Sequence, residues 1–176
     1  PSWPSTGVTT AFKESIFESK ARFPLSQFYH SVNFENTKFK GLVDFYEVIF
    51  METQQFFHTD FEDRAIFSNV TFVKQVQFLY NHVKPTTLIS FENAEFKSAL
   101  DISRANFWCI LQFWGTTIEW KLKEWWLYEE DDISKKDLNI SVKVYKRIRE
   151  SCRIIKHNFK QVGNYIEAIK LHKEEM

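Results

Sequence analysis

Phenylalanine recurs along the first part of the chain in alternating steps of five and six residues. The series is unbroken at thirteen positions: Phe12, Phe17, Phe23, Phe28, Phe34, Phe39, Phe45, Phe50, Phe56, Phe61, Phe67, Phe72 and Phe78. The residue two positions before each of them is small or β-branched except at Gln54, and the residue in between is mostly polar. Because side chains two residues apart share a face only in extended chain, the pattern predicts short strands joined by corners.

The eleven-residue period has a helical alternative, because right-handed supercoils of helices share it. Such helices need apolar residues three or four positions apart. Two phenylalanines five apart lie about 140° apart around a helix and cannot share one buried face, so the strand interpretation is favoured. Gln54 is the one long polar residue among the positions that lie two residues before each Phe. An amide that points inward there needs hydrogen-bond partners.

The run AIFSNVTFVKQVQF, residues 65 to 78, resembles the pentapeptide-repeat family, in a Phe-rich variant with an extra residue at alternate corners. The resemblance covers about residues 10 to 118. It implies a mainly β protein, a right-handed quadrilateral β-helix with four short sides per coil. The sequence departs from the commoner form of the family, which is centred on Leu and rich in Asn and Asp.

Four sides of alternating five and six residues predict about five coils, each rising about 4.8 Å along the axis. The first side stacks Phe12, Phe34, Phe56, Phe78 and Ile102, and the second stacks Phe17, Phe39, Phe61, Val83 and Phe107. The third side stacks Phe23, Phe45, Phe67, Phe91 and Phe113, and the fourth stacks Phe28, Phe50, Phe72, Phe96 and Ile118. The segment around Pro85 adds two residues and is predicted to bulge as a corner loop.

The composition changes at Glu119, where Trp120, Trp125 and Trp126 fall within a short stretch. The open end of a β-helix exposes core side chains and unpaired backbone groups. We therefore expect these three tryptophans to cap that end. A carbohydrate-stacking platform is the less favoured interpretation of the same residues.

The last part of the chain has helical spacing. Apolar residues at steps of three and four predict an amphipathic helix that stops near Gly163: Val144, Ile148, Cys152, Ile155 and Phe159. The segment YIEAIKLHKEEM predicts a second helix, so the two form a helical hairpin that connects the rod to any further part of a longer chain. We expect the apolar face of the first helix to be buried against the second. The predicted organisation is a lead-in at 1–9, the β-helix at 10–118, an aromatic cap and linker at 119–140, and the helical hairpin at 141–176.

The residue after each repeat position points outward and defines the surface. On the second side these residues alternate in sign: Glu18, Lys40, Glu62 and Lys84. On the fourth side they form an apolar stripe, which is the candidate interaction surface: Tyr29, Met51 and Val73, with Ile49 beside them. Exposed apolar stripes are usually covered. We expect the C-terminal segment of the chain itself to lie there, in preference to an external partner.

The sequence offers no convincing catalytic or metal-binding constellation. The histidines are scattered at His30, His58, His82, His157 and His172, whereas metal ligands must converge. His58 and Asp60 are interpreted as a surface polar pair, because no Ser or Cys nucleophile has a recognisable setting beside them. Cys109 and Cys152 are interpreted as small apolar fillers. We expect no catalytic residue, no cofactor and no metal.

The balance of basic and acidic residues limits the kinds of partner that the chain is expected to bind. The chain has 23 basic and 23 acidic residues, which argues against a general nucleic-acid binder. The favoured function is a non-catalytic interaction or scaffold module for an unidentified protein, without direct nucleic-acid contact, and a homodimer stays open. The resemblance implies one alternative, a DNA mimic that binds type II topoisomerases such as gyrase. An enzyme with an unrecognised site is the third.

The hairpin is similar to one that comes after the coils in some bacterial members of the family, where membrane-spanning segments can come next. The resemblance therefore implies the soluble part of a larger membrane-associated bacterial protein, if the chain continues past Met176. We expect a cytoplasmic location, either free or as a soluble domain tethered to a membrane.

Overall fold

The computed structural model describes residues 10–120, 137–161 and 163–164. These residues form a mainly β solenoid of stacked parallel coils, followed by a helix. The strands lie in four parallel sheets, two of five strands and two of three, and each sheet is one side of the solenoid. The predicted fold is confirmed, because the pairings join equivalent residues of adjacent coils, such as Phe17 with Phe39.

The strands are short, and each side takes one strand from successive coils. The first side contains β7 (Gln54–Phe57), β11 (Val76–Leu79) and β14 (Leu100–Arg104). The second contains β1 (Ile16–Phe17), β4 (Lys38–Phe39) and β8 (Asp60–Phe61). The third contains β2 (Ala21–Arg22), β5 (Val43–Asp44), β9 (Ala65–Ile66), β12 (Leu88–Ser90) and β15 (Ile110–Gln112). The fourth contains β3 (Gln27–Phe28), β6 (Ile49–Phe50), β10 (Thr71–Phe72), β13 (Glu95–Phe96) and β16 (Thr117–Ile118). The helix α1 spans Asp137–Gln161.

The repeat phenylalanines stack in the predicted register. The ring of Phe61 lies 5.8 Å from that of Phe39 with an interplanar angle of 4°, and Phe61 pairs with Val83 one coil further on. On the third side the stack runs through all the coils from Phe23 to Phe113, with centroid distances between 5.0 and 5.3 Å. These rings fill the interior of the solenoid and form its hydrophobic core.

The last coil is less regular than the period predicts. The register between β11 and β14 shifts, so that Leu79 lies opposite Arg104. Phe107, predicted to follow Val83 in the second stack, has its ring 5.4 Å from that of Phe78 on the first side. The shift is a β-bulge, which inserts an extra residue into one strand of a pair.

The five-residue steps turn their corners with a residue in the left-handed region. The second residue after the Phe has positive φ at eight non-glycine positions: Glu14, Leu25, Asn36, Glu47, His58, Asn69, Tyr80 and Asn93. Gly115 occupies the same position in the last coil, with φ 69°. At several of these corners the next N–H donates to the carbonyl of the Phe, for example Ser15 to Phe12 at 3.0 Å. This is the geometry of a type II turn.

Gln54 finds the partners that an inward amide needs. Its side chain is fully buried. Its Nε2 donates to the carbonyl oxygen of Val32 at 2.7 Å, and its Oε1 accepts from the N–H of Val32 at 3.1 Å. The amide thus supplies the donor and the acceptor that the backbone of a neighbouring strand would otherwise supply to Val32. The backbone groups of Val32 therefore keep their hydrogen bonds at this corner.

The helix α1 packs on β14 and the open end of the last coil. Ile155 and Phe159 join the phenylalanine core, and the ring of Phe159 lies 6.3 Å from that of Phe113. The N–H of Ile102 donates to the Oγ of Ser151 at 3.1 Å, so the helix also satisfies a backbone donor of the last coil. The helix therefore caps the solenoid.

This arrangement corrects the predicted division between cap and connector. We expected a helix from about residue 141 that acts as a connector, with its apolar face against a second helix. Instead α1 begins at Asp137 and buries Val144, Ile148 and Phe159 against the last coil. Trp120 is partly buried against both apolar clusters. Trp125, Trp126 and the second helix lie outside the described residues.

The predicted end of the helix is confirmed. The N–H of Gly163 donates to the carbonyl of Lys160 at 3.1 Å, and the N–H of Asn164 donates to that of Phe159 at 2.8 Å. Gly163 has φ 77°, and nothing lies within 4 Å of the position that a Cβ would take there. The two bonds and the left-handed glycine form a Schellman motif.

Candidate interaction surface

The alternating charges of the second side form a ladder of ion pairs. The Nζ of Lys40 lies 2.9 Å from a Glu18 carboxylate oxygen, and that of Lys84 lies 2.8 Å from Glu62. Lys38 lies 3.7 Å from Asp60, in the neighbouring outward column. Opposite charges stacked on adjacent coils attract across the sheet and favour the observed register.

The same ladder affects the titration of Glu62. A hydrogen bond from Lys84 lowers the pKa of the Glu62 carboxyl group below its ordinary value, and partial desolvation opposes this only in part. The favourable charges of Lys84, Lys38 and Lys40 act in the same direction as the hydrogen bond. Glu62 is thus held in its ionised form by its neighbours.

The apolar stripe of the fourth side is accessible at its outer positions. Tyr29 is 65% exposed and Ile49 is 37% exposed, while Met51 and Val73 are half-buried. We expected the C-terminal segment to lie on this stripe. In the structure α1 packs on β14 of the first side and on the end of the last coil, so the helix occupies a different surface.

Among the described residues, both exposed tryptophans lie on the last coil. Trp108 is 80% exposed, Ile110 is 53% exposed and Trp114 is 65% exposed. We call these three residues the last-coil patch. Sequence reasoning missed them, although a signal was present: the outward slot of Trp108 holds Lys84 one coil earlier, and that of Trp114 holds Glu92. In the predicted repeat two indoles thus stand where the preceding coil has two charges, and the structure keeps this equivalence for Trp114, whose carbonyl accepts from the N–H of Asn93, the residue next to Glu92.

A pocket of about 410 Å³ lies beside the patch, between the third side and the C-terminal end of α1. Its apolar floor is formed by the buried side chains of Leu111, Phe113 and Phe159. Trp114 and Glu92 line it from adjacent coils, and Asn158 lines it from the helix. The pocket therefore joins an apolar floor, an exposed indole, a carboxylate and an amide.

The described residues do not bring the predicted polar pair of His58 and Asp60 together as a base with its orienting group. The ring of His58 packs on Phe57 at 4.4 Å and on Tyr80 at 5.5 Å. Asp60 instead lies 3.2 Å from the Nδ1 of His82, one coil further on. Asp60 thus pairs along a column between coils, and His58 is not its partner.

The thiols and carboxylates give no sign of a reactive group in the described part of the chain. Burial raises the pKa of the Cys109 thiol to about 12, so the thiol carries its proton at neutral pH. Cys152 is buried in the contact between α1 and the last coil. Among the described residues, no three His, Cys, Asp or Glu side chains lie close enough to hold a metal ion.

Comparisons of the chain with protein-family models, with curated proteins and with solved structures gave no match. Within residues 10–120, 137–161 and 163–164, no helix has the length and apolar character needed to cross a membrane. The structure directly supports a β-solenoid repeat protein with an end-capping helix.

Proposed function

We propose that this chain is a non-catalytic interaction module, a rigid rod that presents the last-coil patch to a protein partner. The observation that carries the proposal is the exposure of two indoles, Trp108 at 80% and Trp114 at 65%, on one coil. Tryptophan is enriched at protein interfaces and contributes a large share of their binding energy. Exposing two indoles to water is unfavourable in free energy, and a partner that covers them would remove this unfavourable exposure.

The rigidity of the rod supports this proposal. Adjacent coils are joined by backbone hydrogen bonds in four parallel sheets, two of five strands and two of three, and by stacked rings inside. A surface fixed in this way loses little conformational entropy when it binds, which favours recognition. The ion pairs on the second side hold the outer layer in the same register.

The family and cellular context belong to the same proposal. Membership of the pentapeptide-repeat family is supported by the eleven-residue double repeat and by the left-handed corner residue within each five-residue step. A partner on the fourth-side stripe of Tyr29, Ile49, Met51 and Val73 would make that stripe a second interaction surface. The soluble part of a larger membrane-associated bacterial protein, placed in the cytoplasm, is the context that this resemblance favours.

The test uses partner capture with matched surface variants. The double variant Trp108→Ala/Trp114→Ala removes the two indoles of the patch, and Tyr29→Ala/Met51→Ala removes two side chains of the fourth-side stripe. We expect captured partner, measured by quantitative mass spectrometry, to fall about tenfold for the first variant and to persist for the second, because interface tryptophans carry much of the binding energy. Equal capture by both variants and the wild type would contradict the proposal.

A further inference from the structure

The pocket beside the last-coil patch places a carboxylate below an indole. Glu92 and Trp114 occupy the same outward slot on adjacent coils, and the N–H of Asn93 donates to the carbonyl of Trp114 at 2.8 Å. Their backbones are therefore about 4.8 Å apart, the spacing of paired strands. Both side chains line the pocket above the buried ring of Phe113.

Glu92 and Asn158 place side-chain oxygen atoms beside this pocket. Asn158 is 7% exposed, and its buried Oδ1 has no hydrogen-bond partner in the described part of the chain. Glu92 is half-buried, and the ion pairs found among the described residues do not include it. None of the described residues that line the pocket is basic. A half-buried carboxylate without a cationic partner favours a charged donor that enters the pocket.

The C-terminal end of α1 adds a negative electrostatic potential to that of the Glu92 carboxylate. Asn158 and Phe159 belong to the last turn of α1, which ends at Gln161. The C-terminal end of a helix carries a partial negative charge, which attracts cations. The carboxylate, the indole face and the helix end all favour a positively charged donor.

From these contacts we infer that the pocket binds an arginine side chain of the partner protein. The guanidinium group is planar, so it stacks on the indole of Trp114 while its N–H groups reach the Glu92 carboxylate. Lysine supplies a compact charge without the planar face, and a neutral side chain supplies no charge. The inference rests on the proposed function, because the partner provides the arginine.

The experiment titrates the whole purified chain with N-acetyl-L-arginine amide and follows the indole N–H signal of Trp114 by NMR. The lysine analogue and the neutral citrulline analogue are titrated in parallel. We expect saturable shifts with arginine and at least about tenfold weaker binding of citrulline, since charge-assisted hydrogen bonds are lost. Equal binding of citrulline, or lysine binding as tight as arginine, would overturn the inference.

Matched variants locate the effect. Glu92→Gln should weaken arginine binding about tenfold, whereas Glu95→Gln, an exposed carboxylate of the same coil that lies on the fourth side, should leave it unchanged. Trp114→Leu should weaken binding about fivefold and Trp108→Leu should not, because only Trp114 lines the pocket. Unchanged binding by Glu92→Gln and Trp114→Leu would refute the site. Partner capture that depends on the patch without arginine binding would remove this inference and leave the proposed function intact.

Discussion

A repeat phenylalanine of this solenoid contacts other rings both along the axis and around the coil. Phe56 stacks on Phe34 at 5.4 Å and on Phe78 at 4.7 Å. Its edge contacts are with Phe45 at 6.2 Å and Phe67 at 5.5 Å. Offset stacking and edge-to-face contacts are the two favoured arrangements of aromatic pairs, and here one residue makes both. A core of this kind leaves little freedom to relax around a missing ring.

Phe61→Ala tests this packing. The side chain is 1% exposed, and the stacked rings around it are held by the coils above and below. We expect a loss of about 3 to 5 kcal/mol in the free energy of unfolding, measured by urea denaturation, because the cavity cannot collapse. Phe57→Ala is the control, since Phe57 points outward and is half-buried. Similar losses for the two variants would show that the stacked core is not the main source of stability.

Glu62 gives a prediction of pH dependence. Its pKa is lowered in the folded chain, chiefly by the hydrogen bond from Lys84. The stability from this interaction is therefore fully present above the pKa of the unfolded chain and is lost as pH falls through the lower folded value. In a carboxyl NMR titration, Lys84→Met should raise the pKa of Glu62 towards its ordinary value. Lys74→Met removes a pair with Glu52 at 2.6 Å and should leave Glu62 unchanged. An unshifted Glu62 in the first variant would contradict the assigned cause.

The sequence pattern predicted which residues lie in the interior, but it did not predict which residues have positive φ. The period alone assigned Phe39, Phe61 and their equivalents, because a one-residue slip would move every ring from the core to the surface. The left-handed corners were not predicted, since positions such as Leu25 and Tyr80 hold residues that rarely adopt positive φ. At these corners the five-residue spacing between phenylalanines, rather than the residue type, determines the turn.

At the level of elements, α1 takes the place that a further coil would otherwise fill. The helix adds no strand to the sheets, but its apolar face covers the rings of the last coil. The Oγ of Ser151 accepts a hydrogen bond from the N–H of Ile102. The spacing of Ile155 and Phe159 predicted the helix and its buried face. It did not predict which surface that face would cover, because amphipathic periodicity carries no information about the partner.

Ile155→Asp tests the capping role. Ile155 is 1% exposed within the phenylalanine core, so a carboxylate there would be buried without a partner. We expect a loss of at least about 2 kcal/mol in the free energy of unfolding and faster amide hydrogen exchange along α1. Tyr145→Asp is the matched control, because Tyr145 is 60% exposed on the same helix. Unchanged exchange in the first variant would show that the helix does not depend on the last coil.

At the scale of the whole molecule, the surface of the rod is balanced in charge. Residues 10 to 118 contain twelve acidic and ten basic residues. Several carboxylates face a cation on the neighbouring coil, as Asp44 faces Arg22 at 3.1 Å and Glu52 faces Lys74 at 2.6 Å. Duplex DNA instead carries about one negative charge per 1.7 Å of its axis. The described surface therefore lacks the continuous acidic stripe that imitation of DNA requires.

The DNA-mimic alternative can be tested in a gyrase supercoiling assay. We expect the purified chain to leave supercoiling unchanged at concentrations where acidic repeat proteins inhibit it, because Lys40 and Lys84 neutralise Glu18 and Glu62. The variant Lys40→Glu/Lys84→Glu supplies the comparison, since it makes the whole second-side column acidic while the phenylalanine core is unchanged. Any inhibition should appear in that variant first, because an acidic column attracts the basic DNA-binding surface of the enzyme and a neutralised column does not. Potent inhibition by the wild-type chain would contradict the charge argument and restore gyrase as the partner.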